Sequence, residues 1–248
     1  MAASPQLSII IPAYNEAATI TQTIARLASF LFDHMPKVPT EVLICVGKSS
    51  DDTLRIATES AKKLEHFRVI DADEPHEKGH NVQVGMQHAT GEYRLYMDAD
   101  LATPLHHIPA VLPLLQKNDI VVGQRNLRKV ERGKGHRRLI SVTGNYLIQA
   151  LVLPGFGDTQ CGFKAFRAEV AGDLFAHQSI NSWGFDIELL ALAKKRGYRI
   201  GRLVINDWQE IEGGAINESP LKAASAAIST LRDLLKIRWR LSTKFYER

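Results

Sequence analysis

The feature that most constrains this chain is an alternation, through its first hundred residues, of short wholly apolar runs with amphipathic stretches. Leu7 to Ile11 (LSIII) is a fully apolar run bounded by Pro12, the pattern of a parallel strand buried on both faces. Glu16 to Phe32 follows at helical spacing, with Asn15 as its expected cap. The same alternation continues with a strand at Glu41–Val46, a helix at Asp51–Leu64 and a strand at Phe67–Asp71. A helix at Gly79–His88 and a strand at Tyr93–Met97 complete it. Strand and helix in strict succession require a mostly parallel sheet covered on both faces, an α/β fold of Rossmann-like kind. Such sheets bind ligands beyond the carboxyl ends of their strands, so the polar residues that follow each strand are the ones to inspect.

The second half is less regular. A strand is expected at Asp119–Val122, an apolar helix at Leu139–Leu153 ended by Pro154 and Gly155, and an amphipathic helix at Phe185–Lys195 closed by Gly197. Pro220 to Phe245 reads as one long helix or two. The chain of 248 residues suits one domain, 1–248, with 220–248 a basic helical tail. Cys45 and Cys161 lie far apart with no CxxC pair, which argues against a zinc site or a disulfide framework and suits a reducing compartment. The nine histidines form no HxH pattern, and a histidine metal site is not expected. With no signal peptide at Met1–Pro5 and no apolar stretch of about 20 residues, the expected location is cytoplasmic, or peripheral at the cytosolic face of a membrane.

Charge is uneven. Arg125 to Arg138 (RNLRKVERGKGHRR) holds seven Lys/Arg against the single acid Glu131, and the end from Arg232 to Arg248 is also basic. Each run is either a solvated face or a surface for an anionic partner, a phosphate or an acidic membrane. Nothing in the pattern asks for nucleic acid.

Asp98-Ala99-Asp100 follows the apolar strand end LYM. Two carboxylates one residue apart can turn toward one hard cation, and oxygen-only ligands select magnesium or manganese. The competing reading is an Asp pair that starts a turn. After the first strand, Pro12 ends the apolar run, Tyr14 offers a flat face to a base, and Asn15 and Glu16 offer polar contacts; the alternative is an ordinary strand-to-helix turn. Lys78 before Gly79 opens the third helix, where a lysine and helix amides suit a phosphate, or is a surface lysine. Asp186 and Glu188 read as helix-surface acids, with Phe185, Ile187 and Leu189 or Leu190 packing, and Cys161 as a small buried residue.

Taken in order, SIIIPAYNE, the Ser49-x-Asp51-x-Thr53 turn, Lys78-Gly79 and Asp98-Ala99-Asp100 resemble family 2 of the inverting glycosyltransferases, which have the GT-A fold. Downstream, DTQCGFKAF from Asp158, WGFDIELL from Trp183, NDWQEIEG from Asn206 and Gly123-Gln124-Arg125 are similar to motifs of the dolichyl-phosphate β-glucosyltransferases and bacterial polyprenyl-phosphate glycosyltransferases. The resemblance runs from Leu7 to about Arg240.

The resemblance implies a metal-dependent hexosyltransferase. It would move a hexose, glucose from UDP-glucose, to a polyprenyl or dolichyl phosphate with inversion. Asp100 would be the principal ligand of Mg2+ or Mn2+ and Asp98 would assist it. Pro12, Tyr14, Asn15, Glu16, Ser49, Lys78 and Asp98 would bind the nucleotide-sugar donor. Asp158 would position the acceptor or sugar, or serve as base. Arg125, Arg137, Arg138, Gln160, Lys164 and Trp208 would hold the acceptor phosphate, where arginine's planar fork suits phosphate oxygens.

The chain departs from the family where Cys45-Val46-Gly47-Lys48 replaces acids expected before Ser49, which leaves the donor base open, and where Gln83 replaces an arginine. Asp100-Leu101-Ala102-Thr103 resembles the glucosyl rather than the mannosyl branch. The alternatives are mannosyl transfer from GDP-mannose, a soluble transferase with a saccharide or small-molecule acceptor, and a degenerate nucleotide-binding module.

Overall fold

The computed structural model describes residues 4–73, 77–126, 144, 146–209, 220–243 and 245–247, at 220–228 and 247 by their backbone alone. Strands β1 (Leu7–Ala13), β2 (Thr40–Gly47), β3 (Phe67–Asp73) and β4 (Tyr93–Met97) alternate with helices α1 (Ile20–His34), α2 (Thr53–Ala61) and α3 (Lys78–His88). After β4 come α4 (Ile108–Leu115), β5 (Ile120–Arg125), β6 (Phe163–Arg167), α5 (Ala168–Ala176), α6 (Phe185–Lys195), β7 (Ile200–Ile205) and α7 (Pro220–Ser242). A helical stretch at 146–151 lies within the expected apolar helix, whose first residues fall outside those described.

The seven strands form one sheet in the order β3-β2-β1-β4-β6-β5-β7. β1 pairs in parallel with β2 and with β4, β2 in parallel with β3, and β5 in parallel with β7. β6 runs antiparallel between β4 and β5. The chain leaves β1 toward β2 on one side and returns from β3 to β4 on the other, so the order reverses between β1 and β4. A crevice opens there beyond the carboxyl ends, the usual ligand site of such a sheet.

Side-chain alternation splits the core into two layers. Ile9 and Ile11 pack with Ile20, Ile24 and Ile108 on one face; Ile10 packs with Val82, Met86 and Phe185 on the other. All are buried, which is why β1 reads as a continuous apolar run rather than as alternating polar and apolar residues.

Several boundaries differ from the sequence expectation. β1 runs through Pro12 to Ala13, where Pro12 is buried opposite Cys45. Pairing with β4 has ended at Ile10, so this part of β1 has one partner strand, where a missing N–H is tolerated. α1 begins at Ile20 with Thr19 before it, because Glu16 and its successors form a turn. Asn15 sits in the left-handed region (φ 54) and therefore does not cap the helix. α4, β6, α5 and β7 are elements the sequence pattern did not give.

Candidate active site at the carboxyl ends of β1 and β4

Asp98, Ala99 and Asp100 leave β4 at this crevice, and the turn is held from three sides. Leu101 N–H donates to Asp98 O at 3.2 Å, Ala102 N–H to Asp100 Oδ1 at 2.9 Å, and Thr23 Oγ1 on α1 to Ala99 O at 2.6 Å. Leu101 takes a left-handed backbone (φ 55) while its side chain and those of Ala99 and Ala102 are buried. The buried residues fix the strap, and the acids are left on its outer side. Asp98 lies against Gly162, whose carbonyl accepts from Asp98 N–H at 3.1 Å. A Cβ at Gly162 would clash with the Asp98 carboxylate, so a side chain there would displace it.

Lys78, the first residue of α3, reaches Asp98 Oδ1 at 2.5 Å and stands 4.8 Å over the Trp183 ring. Burial pushes its ammonium down, but Asp98, Asp186 and Asp100 outweigh that and hold it charged above the ordinary lysine range. Asp100 moves the other way. Burial raises its carboxyl, and the charges of Asp98 and Glu16 add to this against the Ala102 amide and Lys78. The crevice therefore carries more negative charge than Lys78 neutralises. Gly79 N–H is already bonded to Asn181 O at 2.8 Å, so that amide is not offered to a phosphate as expected. A Cβ at Gly79 would fall 2.6 Å from the same oxygen.

The loop after β1 is stitched to the loop after β2. Asn15 N–H donates to Ser49 Oγ at 3.1 Å, Ser50 N–H to Asn15 Oδ1 at 2.8 Å, Glu16 N–H to Thr53 Oγ1 at 2.8 Å, and Ala17 N–H to Asp51 Oδ2 at 3.2 Å. The Ser-x-Asp-x-Thr motif is thus a set of staples for the loop after β1. Ser49 also donates to Gly47 O at 3.1 Å, so its hydroxyl is engaged within the protein. Pro12 is likewise buried in β1 and shapes the loop from beneath. Tyr14 stands exposed at the crevice edge.

On the other side, Arg125 at the end of β5 grips Asp158 with both arms of its fork. Nε donates to Oδ2 at 2.8 Å and Nη2 to Oδ1 at 2.9 Å, while the Arg125 backbone N–H adds a bond to Oδ2 at 3.1 Å. Gln160 N–H donates to Asp158 Oδ1 at 3.3 Å, so Gln160 enters through its backbone, with its side chain exposed. Burial pushes the Asp158 carboxyl up, and the bonds and charge of Arg125 outweigh it, leaving Asp158 below the ordinary aspartate range. A carboxylate so engaged is a poor proton acceptor and a good holder of Arg125. Trp208 lies 5.1 Å from the guanidinium on its face.

Lys164 departs from the expectation of a phosphate contact. It is fully buried, donating to Cys161 O at 2.7 Å and pairing with Asp186 Oδ1 at 2.8 Å, an oxygen that also accepts from Tyr96. Asp186 is therefore the partner of a buried charge. Glu188 is also buried, accepting from the Ser179 and Ile180 amides at 2.9 and 2.8 Å and from Tyr246 at 2.7 Å. Burial pushes the Cys161 thiol up to about 12, as befits a small core residue. Arg137 and Arg138 lie outside the described residues.

One cluster was not foreseen. His106 and His107 both meet Asp207, at 3.1 and 2.7 Å, and the three groups are close enough to share a metal ion. The only signal in the sequence was the His-His pair; its partner lies a hundred residues on, after a strand the pattern had missed. Gln209 N–H donates to Ala102 O at 2.9 Å just beyond. Asp207 and Gln209 thus tie the segment on both sides of Trp208 to the loop that follows Asp100.

Among known proteins, the dolichyl-phosphate β-glucosyltransferase of Dictyostelium discoideum is 31% identical, over 94% of this chain and 74% of that one. That of Homo sapiens is 30% identical, over 96% and 76%. The glucosyl-3-phosphoglycerate synthase of Mycobacterium tuberculosis, solved with Mn2+, uridine diphosphate and phosphoglyceric acid, superposes with a TM-score of 0.65 at 19% identity, covering 94% of this chain and 78% of that chain. That likeness gives the fold, a GT-A arrangement. Residues 8–175 match the profile of Glycosyl transferase family 2, and the chain belongs to that family.

Proposed function

We propose that the protein transfers glucose, with inversion, from UDP-glucose to a phosphate-bearing acceptor, with Mg2+ or Mn2+ held at Asp98 and Asp100. The observation that carries this is the acid pair at the β1/β4 crevice, with Lys78 on one side and the Arg125–Asp158 pair on the other. The donor set fits such an ion: it is all oxygen, and Asp100 is held above its ordinary range by burial and uncompensated neighbouring charge. When bound, the cation stabilises a departing diphosphate. Lys78 adds a positive charge beside that leaving group, and Tyr14, Asn15 and Glu16 line the nucleoside end.

Arg125 has given Nε and Nη2 to Asp158, which leaves Nη1 to meet an acceptor phosphate. Asp158 fixes the direction of that fork, and Trp208 covers its face. A phosphate nucleophile is already anionic, so alignment rather than proton removal is the protein's task. The names of the curated relatives support a polyprenyl phosphate as acceptor and glucose as the sugar. A soluble phosphorylated acid is the second reading. It is favoured by the acceptor named for the mycobacterial structure, phosphoglyceric acid.

Incubating the purified protein and Mn2+ with UDP-glucose or GDP-mannose, against a short polyprenyl phosphate and 3-phosphoglycerate, tests the reading. Glucosylated product from UDP-glucose alone is expected, and the productive acceptor separates the two forms. Nucleotide binding without turnover of any donor would instead leave the degenerate module.

A further inference from the structure

Among the described residues, the last helix, α7, buries one apolar side and leaves a second exposed. Leu234 and Ile237 are buried in the core. Asp233, the acid between Thr230 and Ser242, is turned inward, where Ser182 Oγ donates to it at 2.7 Å. Arg240 also points inward, 3.4 Å from the buried Glu188. On the outer side Leu231, Leu235 and Trp239, spaced i, i+4 and i+8, are 42%, 55% and 62% exposed. Arg232 and Lys236 interleave with them and line the same shallow groove. A solvated helix face would carry polar residues at those three positions.

We propose that this face docks on an anionic lipid bilayer, with Leu231, Leu235 and Trp239 entering the headgroup boundary and Arg232 and Lys236 meeting lipid phosphates. Apolar side chains interleaved with bases, the acid withdrawn and a tryptophan at one end are the composition of a helix that lies in an interface. The arginine and lysine stems can follow the apolar surface while their charges reach the headgroups. A second copy of the chain fits less well. A two-fold contact through this stripe would bring Arg232 and Lys236 against their own equivalents, and like charges oppose it.

The position of the stripe deepens the functional reading and rests on it. Asp233 bonds Ser182 and would lie 2.8 Å from a Cβ at Gly184; the residue between these two is Trp183, which covers Lys78. The docking face thus starts beside the rim of the crevice, where an acceptor phosphate presented at a membrane surface would be within the enzyme's reach.

The test is co-sedimentation of the full chain with phosphatidylcholine vesicles, with and without phosphatidylglycerol. The protein should pellet with the anionic vesicles and be released by salt. Leu235→Ser combined with Trp239→Ser should weaken binding about tenfold or more, with an unchanged circular dichroism spectrum. Tryptophan fluorescence should shift to the blue on vesicles in the wild type and much less in Trp239→Phe, a conservative change that does not depend on the double variant folding. UDP-glucose consumption without vesicles should be the same in all variants. Vesicle binding without donor turnover would count against the proposed function alone. A wild type that stays in solution with anionic vesicles at low salt, or a double variant that binds undiminished, would overturn the docking face. So would a dimer, seen by sedimentation velocity, that Trp239→Ser dissociates without any lipid binding.

Discussion

At the scale of single residues, the site depends on contacts that leave no room for substitution. Gly162 supports Asp98 from beneath, and a methyl group there would clash with the carboxylate. Gly162→Ala should displace Asp98, cost about 1–3 kcal/mol of stability in urea unfolding, and lower donor turnover sharply. The Lys164–Asp186 pair is buried and hydrogen-bonded. Removing one partner, as in Asp186→Asn, should cost about 3–5 kcal/mol, whereas Lys164→Met with Asp186→Leu should recover much of that loss. If the two single changes and the double change destabilise equally, the charges are not coupled. Asp158 gives a dependence on pH. Its carboxyl is depressed in the folded chain, so its contribution to stability is full above the ordinary aspartate pKa and is lost as pH falls through the lower folded value. Stability should therefore decline below about pH 4 with a contribution from this group, and Asp158→Asn should flatten that part of the acid limb. These partners were not legible in the sequence. The resemblance gave Lys164 as a phosphate contact; the register of β6 against β4 sets it opposite Tyr96, and the packing of α6 brings Asp186 to it.

At the scale of elements, the parallel half was legible because strands buried on both faces are continuous apolar runs, and β4 falls at Tyr93–Met97 as the pattern gives it. The antiparallel insertion was not. β6 (FKAFR) hides a charged residue in its middle, and β7 (IGRLVI) carries half-exposed positions at the sheet edge, so neither shows an apolar run. α4 carries Pro113 inside it, a residue that interrupts a helical pattern in sequence. The loops follow the same logic. Ser49, Asp51 and Thr53 were visible as a motif, but not the bonds by which they hold Asn15 through Ala17. Asn15→Ala should remove the bond to Ser50 and strain the left-handed backbone, costing about 1–2 kcal/mol. It should also weaken nucleotide binding measured by calorimetry more than it lowers turnover at saturating donor.

At the scale of the whole molecule, one crevice gathers groups that are far apart in sequence: Asp98 and Asp100 from β4, Lys78 from α3, Arg125 from β5 and Trp208 from beyond β7. The family motifs made Asp98, Asp100, Lys78, Arg125 and Asp158 visible beforehand. The clamp of His106, His107 and Asp207 was not visible, since its two halves meet only through the position of β7. The central claim is that the Asp98–Asp100 pair holds the cation on which sugar transfer depends. The most direct test is release of UDP from UDP-glucose, in the presence of acceptor and Mn2+, by the wild type and by Asp100→Ala. Transfer should stop on chelation, return with added Mn2+ in the wild type, and stay at least about a hundredfold down in Asp100→Ala with unfolding unchanged. An Asp100→Ala protein that remains folded and turns over donor at the wild-type rate, with metal present, would contradict the claim.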